Sequence, residues 1–274
     1  HDLYQEAHTP WDWHEALFEK ARRLGLTIFS SPFDPTAVAF LNKLDAPAYK
    51  VASFELIDLP LIACMAQTGK PLIMSTGLAT AEEIGEAVDA ARGAGCTELA
   101  LLHCTSGYPT PAEEANLAIL ARLSERFDVV VGLSDHTLGA AVAISAVALG
   151  AAIVEKHVAL SRADGGPDAG FSLEPDEFSD MAGACRVAWR AIGSPEFRRT
   201  PSESENLMFR RSLYVVRDIK AGDKFSEQNL RSIRPGHGLA PKHLPSLLGS
   251  RAARDLARGT AIGWDDVADK GREL

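Results

Sequence analysis

The repeated order of strand and helix is the sequence feature that most limits what this chain can fold into. Six short, nearly continuous apolar runs alternate with segments of helical periodicity. The predicted strands are residues 26–30, 49–52, 71–74, 99–103, 129–133 and 151–154. The predicted helices are residues 12–24, 36–44, 59–68, 80–94, 115–126 and 139–149. Strands that are apolar throughout are typical of parallel sheets covered on both faces, so the sequence predicts an α/β fold.

Polar residues follow every predicted strand and are rare elsewhere in the repeats. A (β/α)8 TIM barrel places its active site in this way, at the carboxyl ends of its strands. Six units cannot close a barrel of eight, and the chain begins at His1 without a methionine, so we expect that the first two βα units are absent from this sequence. A doubly wound open sheet would need no missing strands, but it usually has its site at one switch point. Because all six strand ends are polar, the barrel is favoured.

The pattern changes after residue 193. We predict a barrel domain at residues 1–193, a linker at 194–211, rich in Ser, Pro, Glu, Arg and Asn, and a small C-terminal domain at 212–274. The small domain has a weak internal duplication, in which the turn that begins at Asp218 recurs at Asp255. Roughly 60 residues are too few for a strong core, so we expect this domain to pack on the barrel or on another subunit.

Composition excludes several classes of protein. The 274 residues are 46% hydrophobic and 24% charged, which is ordinary for a globular protein. A net charge of -9 argues against nucleic acid or an anionic membrane surface as partners. No apolar run approaches the roughly 20 residues of a membrane span, and no signal peptide is recognisable. The cysteines lack disulfide or metal spacing and indicate reduced thiols in the cytoplasm: Cys64, Cys96, Cys104 and Cys185.

Two histidines follow neighbouring predicted strands. His136 comes after the fifth strand, His157 after the sixth, and Asp168 lies in a glycine-rich loop just beyond. Neutral imidazoles suit a divalent first-row metal ion, and two of them leave positions open for water and substrate. The alternative is that each histidine is only hydrogen-bonded to its neighbours. With Asp135 and Glu155 also close in sequence, the metal site is favoured.

A lysine and a set of hydroxyls at the strand ends predict an anion site. Lys50 lies in the second strand and is followed by Ser53 and Glu55. Small polar residues follow the other strands: Ser31, Ser75, Thr76, Gly77, Thr105, Ser106 and Ser134. An ammonium group beside hydroxyls and free backbone N–H groups is suited to a phosphate or carboxylate. The alternative is a lysine that extends to solvent among ordinary turn serines.

Two further basic residues, Lys156 and Arg234, each allow a functional and a structural interpretation. Lys156 could form a Schiff base, but alternation along the strand points it away from Glu155 and His157, so we favour a structural ion pair. Arg234 lies in the small domain, and the pattern alone favours an exposed arginine with no function.

Four motifs resemble those of the sialic acid synthase family, whose members condense phosphoenolpyruvate with an amino sugar. They are Gly132-Leu133-Ser134-Asp135-His136-Thr137, Val154-Glu155-Lys156-His157, Gly166-Pro167-Asp168 and Ser172-Leu173-Glu174-Pro175. The C-terminal domain resembles the antifreeze-like (SAF) domain of the same family. Within the family, segments 104–109, 160–168 and 231–236 are most similar to pseudaminic acid synthases. N-acetylneuraminate synthases typically have Asn where this chain has Ser106.

The resemblance implies roles for particular residues and a partner. It implies a domain-swapped homodimer in which the SAF domain of one subunit covers the barrel mouth of the other. It assigns metal binding, usually of manganese and otherwise of magnesium or cobalt, to His136 and His157. It assigns phosphoenolpyruvate to Ser31, Lys50, Ser53, Ser106 and Ser134, catalysis to Glu55, Tyr108 and Asp168, and sugar binding to Arg234.

The implied reaction joins phosphoenolpyruvate to 2,4-diacetamido-2,4,6-trideoxy-L-altrose, with C–O cleavage and release of phosphate, to give pseudaminic acid. N-acetylneuraminate or legionaminate synthesis is the alternative within the family. A metal aldolase that uses pyruvate is an alternative from another enzyme class, and a carbohydrate- or ice-binding tail is a non-enzymatic one. The family also uses a glutamate and a lysine from its first two strands. Because we expect those strands to be absent from this sequence, an inactive fragment is a further alternative.

Overall fold

A parallel sheet of five strands forms the centre of the larger of two units, His1–Ser194 and Pro195–Leu274. The structure, a computed structural model, describes residues 8–268, and the predicted domain ends at 1–7 and 269–274 lie outside the described residues. The strands are β1 (Tyr49–Val51), β2 (Leu72–Ser75), β3 (Leu99–Cys104), β4 (Val130–Asp135) and β5 (Ile153–Lys156). Each strand pairs with the next one along the chain. This sequential parallel order confirms the α/β prediction and is that of part of a barrel wall, not of a doubly wound sheet, whose strand order reverses.

Helices connect the strands, as the periodicity predicts. They are α1 (Trp11–Leu24), α2 (Pro35–Lys43), α3 (Leu59–Ala66), α4 (Ala81–Gly93), α5 (Ile119–Phe127), α6 (Ala141–Ala148) and α7 (Pro175–Ile192). A capping box of Thr80 and Glu83 fixes the start of α4. Helix α5 begins later than predicted, because Asn116 has a φ of 42°, outside the right-handed helical region.

The predicted strand at 26–30 is wrong except at its last residue. Ser30 forms a single parallel bridge with Tyr49, and its carbonyl oxygen accepts a hydrogen bond of 3.2 Å from the Lys50 N–H. Leu26 and Phe29 are exposed. A strand needs a pairing partner along its length. Within residues 8–268 the short strand β1 offers a partner only to Ser30.

Strands β4 and β5 extend further than predicted. They run to Asp135 and Lys156, which are direct partners in the parallel register. His136 and His157 therefore follow the two strands immediately, at the same edge of the sheet.

The core of this unit lies between the sheet and its helices. Leu72, Met74 and Leu101 of the sheet pack with Ile62 and Met65 of α3, and each is at most 1% exposed. Each such side chain contributes about 1.5–3 kcal/mol of hydrophobic free energy when it is removed from water. The strands are thus held by apolar packing, which leaves their carboxyl ends available for polar residues.

The C-terminal unit has its own core. Strands β6 (Ser212–Val215) and β7 (Leu230–Ile233) pair in antiparallel register. A short helix, Leu244–Leu247, contributes Leu247 to the core. Its buried cluster comprises Leu213, Val215, Ile219, Phe225, Leu230, Leu247, Ala252, Leu256, Ile262 and Val267. This cluster explains how a small unit forms a folded body.

Reciprocal hydrogen bonds confirm the internal duplication in this unit. Asp218 Oδ1 accepts from the N–H of Arg258 at 2.7 Å, and Asp255 Oδ1 accepts from the N–H of Ala221 at 2.8 Å. Each aspartate thus binds the third residue after its counterpart. The two turns also form an antiparallel bridge at Ile219 and Leu256.

The segment predicted as a linker contains regular structure. Helix α8 (Pro201–Ser204) begins with a capping box of Thr200 and Glu203, and a 3-10 helix, Glu205–Phe209, follows it. Local capping explains why polar residues that read as a linker adopt helical turns. Across residues 8–268, every helix is too short or too polar to cross a lipid bilayer.

Candidate active site

Lys50 forms the basic centre of a cluster of polar side chains at the sheet. Its side chain is buried, and Nζ donates to Ser75 Oγ at 2.7 Å and to the Val51 carbonyl oxygen at 2.8 Å. Burial lowers the pKa of Lys50, and the nearby Glu155 carboxylate only partly opposes this shift. A buried ammonium beside a hydroxyl is a strong point of attraction for an anion.

Three loops bring hydroxyl groups together around Gly77. The Gly77 N–H donates to Ser53 Oγ at 3.1 Å. A Cβ at this position would lie 2.7 Å from Ser53 Oγ and would overlap Ser106 Oγ. Glycine is therefore required for Ser53 and Ser106 to approach the main chain so closely. The structure thus brings together two of the residues predicted to bind phosphoenolpyruvate.

Glu155 links the remaining members of the predicted anion site. Ser134 Oγ donates to Glu155 Oε1 at 2.6 Å, and Glu155 Oε2 lies 3.8 Å from Lys50 Nζ. Ser134 and Glu155 are register partners in β4 and β5. The sequence placed Glu155 near the histidines, but its contact with Lys50 depends on the distance between β1 and β5, which no local pattern encodes.

His136 and His157 lie side by side, with ring centroids 5.2 Å apart. His136 Nδ1 is 3.0 Å from the Thr105 carbonyl oxygen, which can only accept, so Nδ1 carries the proton and Nε2 has a free lone pair. His157 Nδ1 lies 3.4 Å from Asp168 Oδ2, so that carboxylate can orient the second ring. Burial lowers the pKa of His157, which Asp168 partly offsets. A lowered pKa favours the neutral, metal-binding form of this imidazole.

The donor chemistry of this pair fits a divalent metal ion. Both rings have Nδ1 next to an oxygen, which leaves Nε2 as the donor that a metal would use. Within the part of the chain that the structure describes, no group of three or more His, Cys, Asp or Glu side chains is arranged around one point. Two imidazoles would thus supply part of a coordination shell and leave the rest to substrate and water.

Two aromatic side chains form a wall beside the histidines. The Tyr108 ring is 4.4 Å from the His136 ring, and the Phe171 ring is 5.0 Å from the His157 ring. Tyr108 was predicted, whereas Phe171 was missed. Phe171 lies in a 3-10 turn, Ala169–Phe171, where no helical or strand periodicity marks a buried residue. Its only signal is an aromatic residue in a polar, glycine-rich loop.

Cys104 lies inside the same cluster. Its Sγ is 3.8 Å from His136 Nδ1 and 4.0 Å from Ser106 Oγ. Burial raises the pKa of the Cys104 thiol, but hydrogen bonds from His136 and Ser53 outweigh burial and lower it. For His136 the directions are reversed: burial lowers the pKa of the imidazole, and its contacts with Cys104 and Thr105 raise that pKa overall. Since Cys104 faces Nδ1, it lies on the opposite side of the ring from the free Nε2.

Glu55 has an oxygen without a partner. It follows β1 in the 3-10 turn Ser53–Glu55, and its Oε2 is buried with no hydrogen-bond partner within residues 8–268. Burial raises the pKa of Glu55, and the Lys50 charge opposes this only in part. A raised pKa makes this carboxylate a better proton acceptor than an ordinary glutamate, so Glu55 is a candidate general base.

The structure confirms the structural role preferred for Lys156. Its Nζ lies 2.8 Å from Asp135 Oδ2, and the two side chains are 0% and 1% exposed. The pair is on the opposite side of the strands from the histidines.

Two predicted residues lie outside this cluster. Ser31 lines a different hollow, with Trp11 and Phe40. Arg234 is an exposed residue of the C-terminal unit, directly after β7, and its role stays a prediction.

Comparison with known proteins identifies the two parts of the chain. The family model of the NeuB family matches residues 1–197, and that of the SAF domain matches residues 210–268. A pseudaminic acid synthase of Helicobacter pylori is 42% identical over 97% of this chain and 79% of its own length. An N,N'-diacetyllegionaminic acid synthase of Legionella pneumophila is 35% identical over 93% of this chain and 73% of its own length. The crystal structure of spore coat polysaccharide biosynthesis protein SpsE from Bacillus subtilis matches with a TM-score of 0.65 and 32% identity, over 96% of this chain and 79% of that one.

Proposed function

Because the chain belongs to the NeuB family and has a SAF domain at its C-terminal end, we propose that it acts as a pseudaminic acid synthase. The reaction would join phosphoenolpyruvate to 2,4-diacetamido-2,4,6-trideoxy-L-altrose and release phosphate. One observation carries the proposal: the Glu155 carboxylate binds Ser134 and lies 3.8 Å from the buried Lys50, and its charge also acts on His136 and His157, which supports one shared site. The higher identity to a pseudaminic than to a legionaminic acid synthase supports this choice of sugar.

Phosphoenolpyruvate would bind at the anion pocket. Lys50 supplies the positive charge, and Ser53, Ser106 and Ser134 supply hydroxyl donors. The Glu155 carboxylate holds Ser134 and Lys50 in the structure, so it would have to move aside or be protonated when the substrate anion arrives. Ser31 would join the pocket only through a shift of its loop.

His136 and His157 would hold a divalent metal ion, with manganese as the first candidate and magnesium or cobalt as others. Such an ion, when bound, polarises the aldehyde oxygen of the open-chain sugar as a Lewis acid. Thr105 and Asp168 keep the two rings in the tautomer and orientation that expose Nε2. The Tyr108 and Phe171 rings pack against the two imidazoles and help to hold them in place.

The chain's own residues would then manage the charges and protons of the condensation. C3 of phosphoenolpyruvate attacks the aldehyde carbon, and positive charge develops at C2. Glu55 or Asp168 would stabilise that charge and take a proton from the water that adds at C2. That proton passes to the former aldehyde oxygen, which becomes a hydroxyl. Phosphate then leaves with its bridging oxygen as the C2–O bond breaks, the C2 hydroxyl gives its proton to the phosphate and becomes the ketone, and Lys50 is placed to stabilise the leaving anion.

We also propose the complete architecture that the family implies. Two further βα units, together with a strand that the segment at 26–30 would form beside them, would extend the five observed strands to a (β/α)8 barrel. Exposed apolar side chains next to the strand ends, such as Phe54, Leu78 and Leu138, suit a surface that a second copy covers. In a domain-swapped homodimer the SAF domain would provide that cover and bring Arg234 to the partner's sugar. The cysteines of the chain are free, which supports the predicted cytoplasmic location.

The test measures phosphate release. Residues 1–274 and the full gene product are each incubated with phosphoenolpyruvate, Mn2+ and one of three sugars: the L-altrose derivative, N-acetylmannosamine or the precursor of legionaminic acid. We expect release with the first sugar, and none from His157→Ala, whose fold circular dichroism checks. Release only with another sugar would overturn the choice of substrate. C–C bond formation with free pyruvate, and no phosphate release, would favour the aldolase.

A further inference from the structure

An ion pair joins the ends of β4 and β5, at the residues directly before the two histidines. Asp135 and Lys156 are direct register partners, and Lys156 Nζ lies 2.8 Å from Asp135 Oδ2. Their side chains are 1% and 0% exposed, whereas the other Asp–Lys pairs, Lys70–Asp45 and Lys220–Asp255, are partly or largely exposed. The pair belongs neither to the anion pocket nor to the aromatic wall.

Both charges are satisfied by a closed set of hydrogen bonds. Lys156 Nζ donates to the carbonyl oxygen of Thr137 as well as to Asp135. Asp135 Oδ1 accepts from the N–H of Thr137 at 2.9 Å. The network therefore holds the N–H and the carbonyl oxygen of Thr137, in the turn that follows β4, against the end of β5.

The histidines are directly attached to this network. His136 lies between Asp135 and Thr137, and His157 follows Lys156. The main chain of each histidine is tied on its other side, since the His136 carbonyl oxygen accepts from Thr110 and that of His157 accepts from Leu173. A shift between β4 and β5 would change the 5.2 Å separation of the rings. The ion pair is a side-chain link that resists this shift, and it lies next to both histidines in sequence; the Ser134–Glu155 hydrogen bond is a second link between the same strands.

Stability alone does not account for such a pair. Two apolar side chains of similar volume often serve a buried site as well or better, because burying charges removes their hydration. A hydrogen-bonded charge pair, however, defines distance and direction, which apolar contacts do not. We propose that Asp135 and Lys156 are positioning residues that set the spacing and orientation of His136 and His157 for one divalent cation. This inference rests on the metal site of the proposed function.

The experiment replaces the pair by apolar residues and measures the binding of Mn2+ alone. Asp135→Leu with Lys156→Met removes both charges together, so neither charge is left unpaired. Asp45→Leu with Lys70→Met is the matched control, because it removes an Asp–Lys pair of 2.6 Å remote from the histidines. Mn2+ is titrated into each protein and followed by electron paramagnetic resonance, and thermal unfolding is recorded in a chelator.

We expect the Asp135/Lys156 double variant to stay folded in the chelator, with a lower unfolding temperature because Thr137 loses two hydrogen-bond partners, and to bind Mn2+ about 10- to 100-fold more weakly than the unchanged protein. The control pair should bind Mn2+ as the unchanged protein does. If the double variant does not fold, Asp135→Asn, which keeps the size and the acceptor for Thr137, is titrated against the same criterion.

A folded variant with an affinity within about threefold of the unchanged protein would overturn the positioning role and leave the proposed synthase activity standing. An unchanged protein that binds no Mn2+ would overturn both the metal site and this role. The expected Mn2+ result without phosphate release from any sugar would overturn the synthase activity alone.

Discussion

At the scale of single residues, the candidate site depends on a glycine, which has no side chain, as much as on its polar side chains. Gly77 lets two serines from different loops meet at one point of the main chain. Glu55 keeps an unpaired, buried oxygen, and Lys50 keeps a charge away from water. Each of these features has an energetic cost that binding of a ligand would offset. The Lys50 charge and the hydroxyls around Gly77 favour an anion, whereas the Glu55 oxygen favours a proton or a donor group of a ligand.

Gly77→Ala tests this at one residue. Its Cβ would overlap Ser106 Oγ and lie 2.7 Å from Ser53 Oγ, so both hydroxyls must turn away. We expect KM for phosphoenolpyruvate to rise about tenfold, which corresponds to about 1.4 kcal/mol, with a smaller effect on kcat. Steady-state kinetics measure both. Gly93→Ala is the control, since a Cβ there meets nothing within 4 Å. An unchanged KM would remove Ser53 and Ser106 from the anion site.

At the scale of elements, the close pairing of β4 and β5 places the two histidines together. Gly132 of β4 is the register partner of Ile153 of β5. A Cβ on Gly132 would lie 2.5 Å from the Ile153 carbonyl oxygen and 2.5 Å from Leu102 Cδ2. The backbone oxygen cannot rotate away as a serine hydroxyl can, so the strands themselves would have to separate.

Gly132→Ala should therefore reduce the free energy of unfolding by about 1–3 kcal/mol. Gly85→Ala in helix α4 should instead raise it by about 0.5–1 kcal/mol, because its Cβ has ordinary contact with Phe127 at 3.8 Å and alanine favours the helix. Urea denaturation of the two variants gives both values. A neutral Gly132→Ala would show that the β4–β5 spacing adapts without cost.

At the scale of the whole molecule, the chain consists of two units with separate cores. The strand-end cluster belongs to the first unit and Arg234 to the second. If the active form is a domain-swapped homodimer, each site contains histidines of one copy and the arginine of the other. That arrangement differs measurably from one in which each chain completes its own site.

Mixing two inactive variants distinguishes these arrangements. His157→Ala and Arg234→Ala are each expected to lack phosphate release alone. The two variants are unfolded and refolded together, so that about half of the dimers contain one copy of each. In a swapped dimer of this kind, one of the two sites has both residues intact. Activity should therefore return to about a quarter of that of the wild type. Light scattering confirms the dimer. No recovery would contradict the swap.

The amino-acid sequence is enough to predict the order of βα units, the polar strand ends, the pair of histidines and the duplicated turns of the C-terminal unit. These depend on periodicity and on local hydrogen bonds, such as those of Asp218 and Asp255, which residue types and spacing express directly. Three features become visible only in the folded chain: residues 26–29 are not a strand, Glu155 connects Lys50 with Ser134, and Phe171 lies against His157. These features depend on distances between elements far apart in the chain, and such distances are set by packing and register.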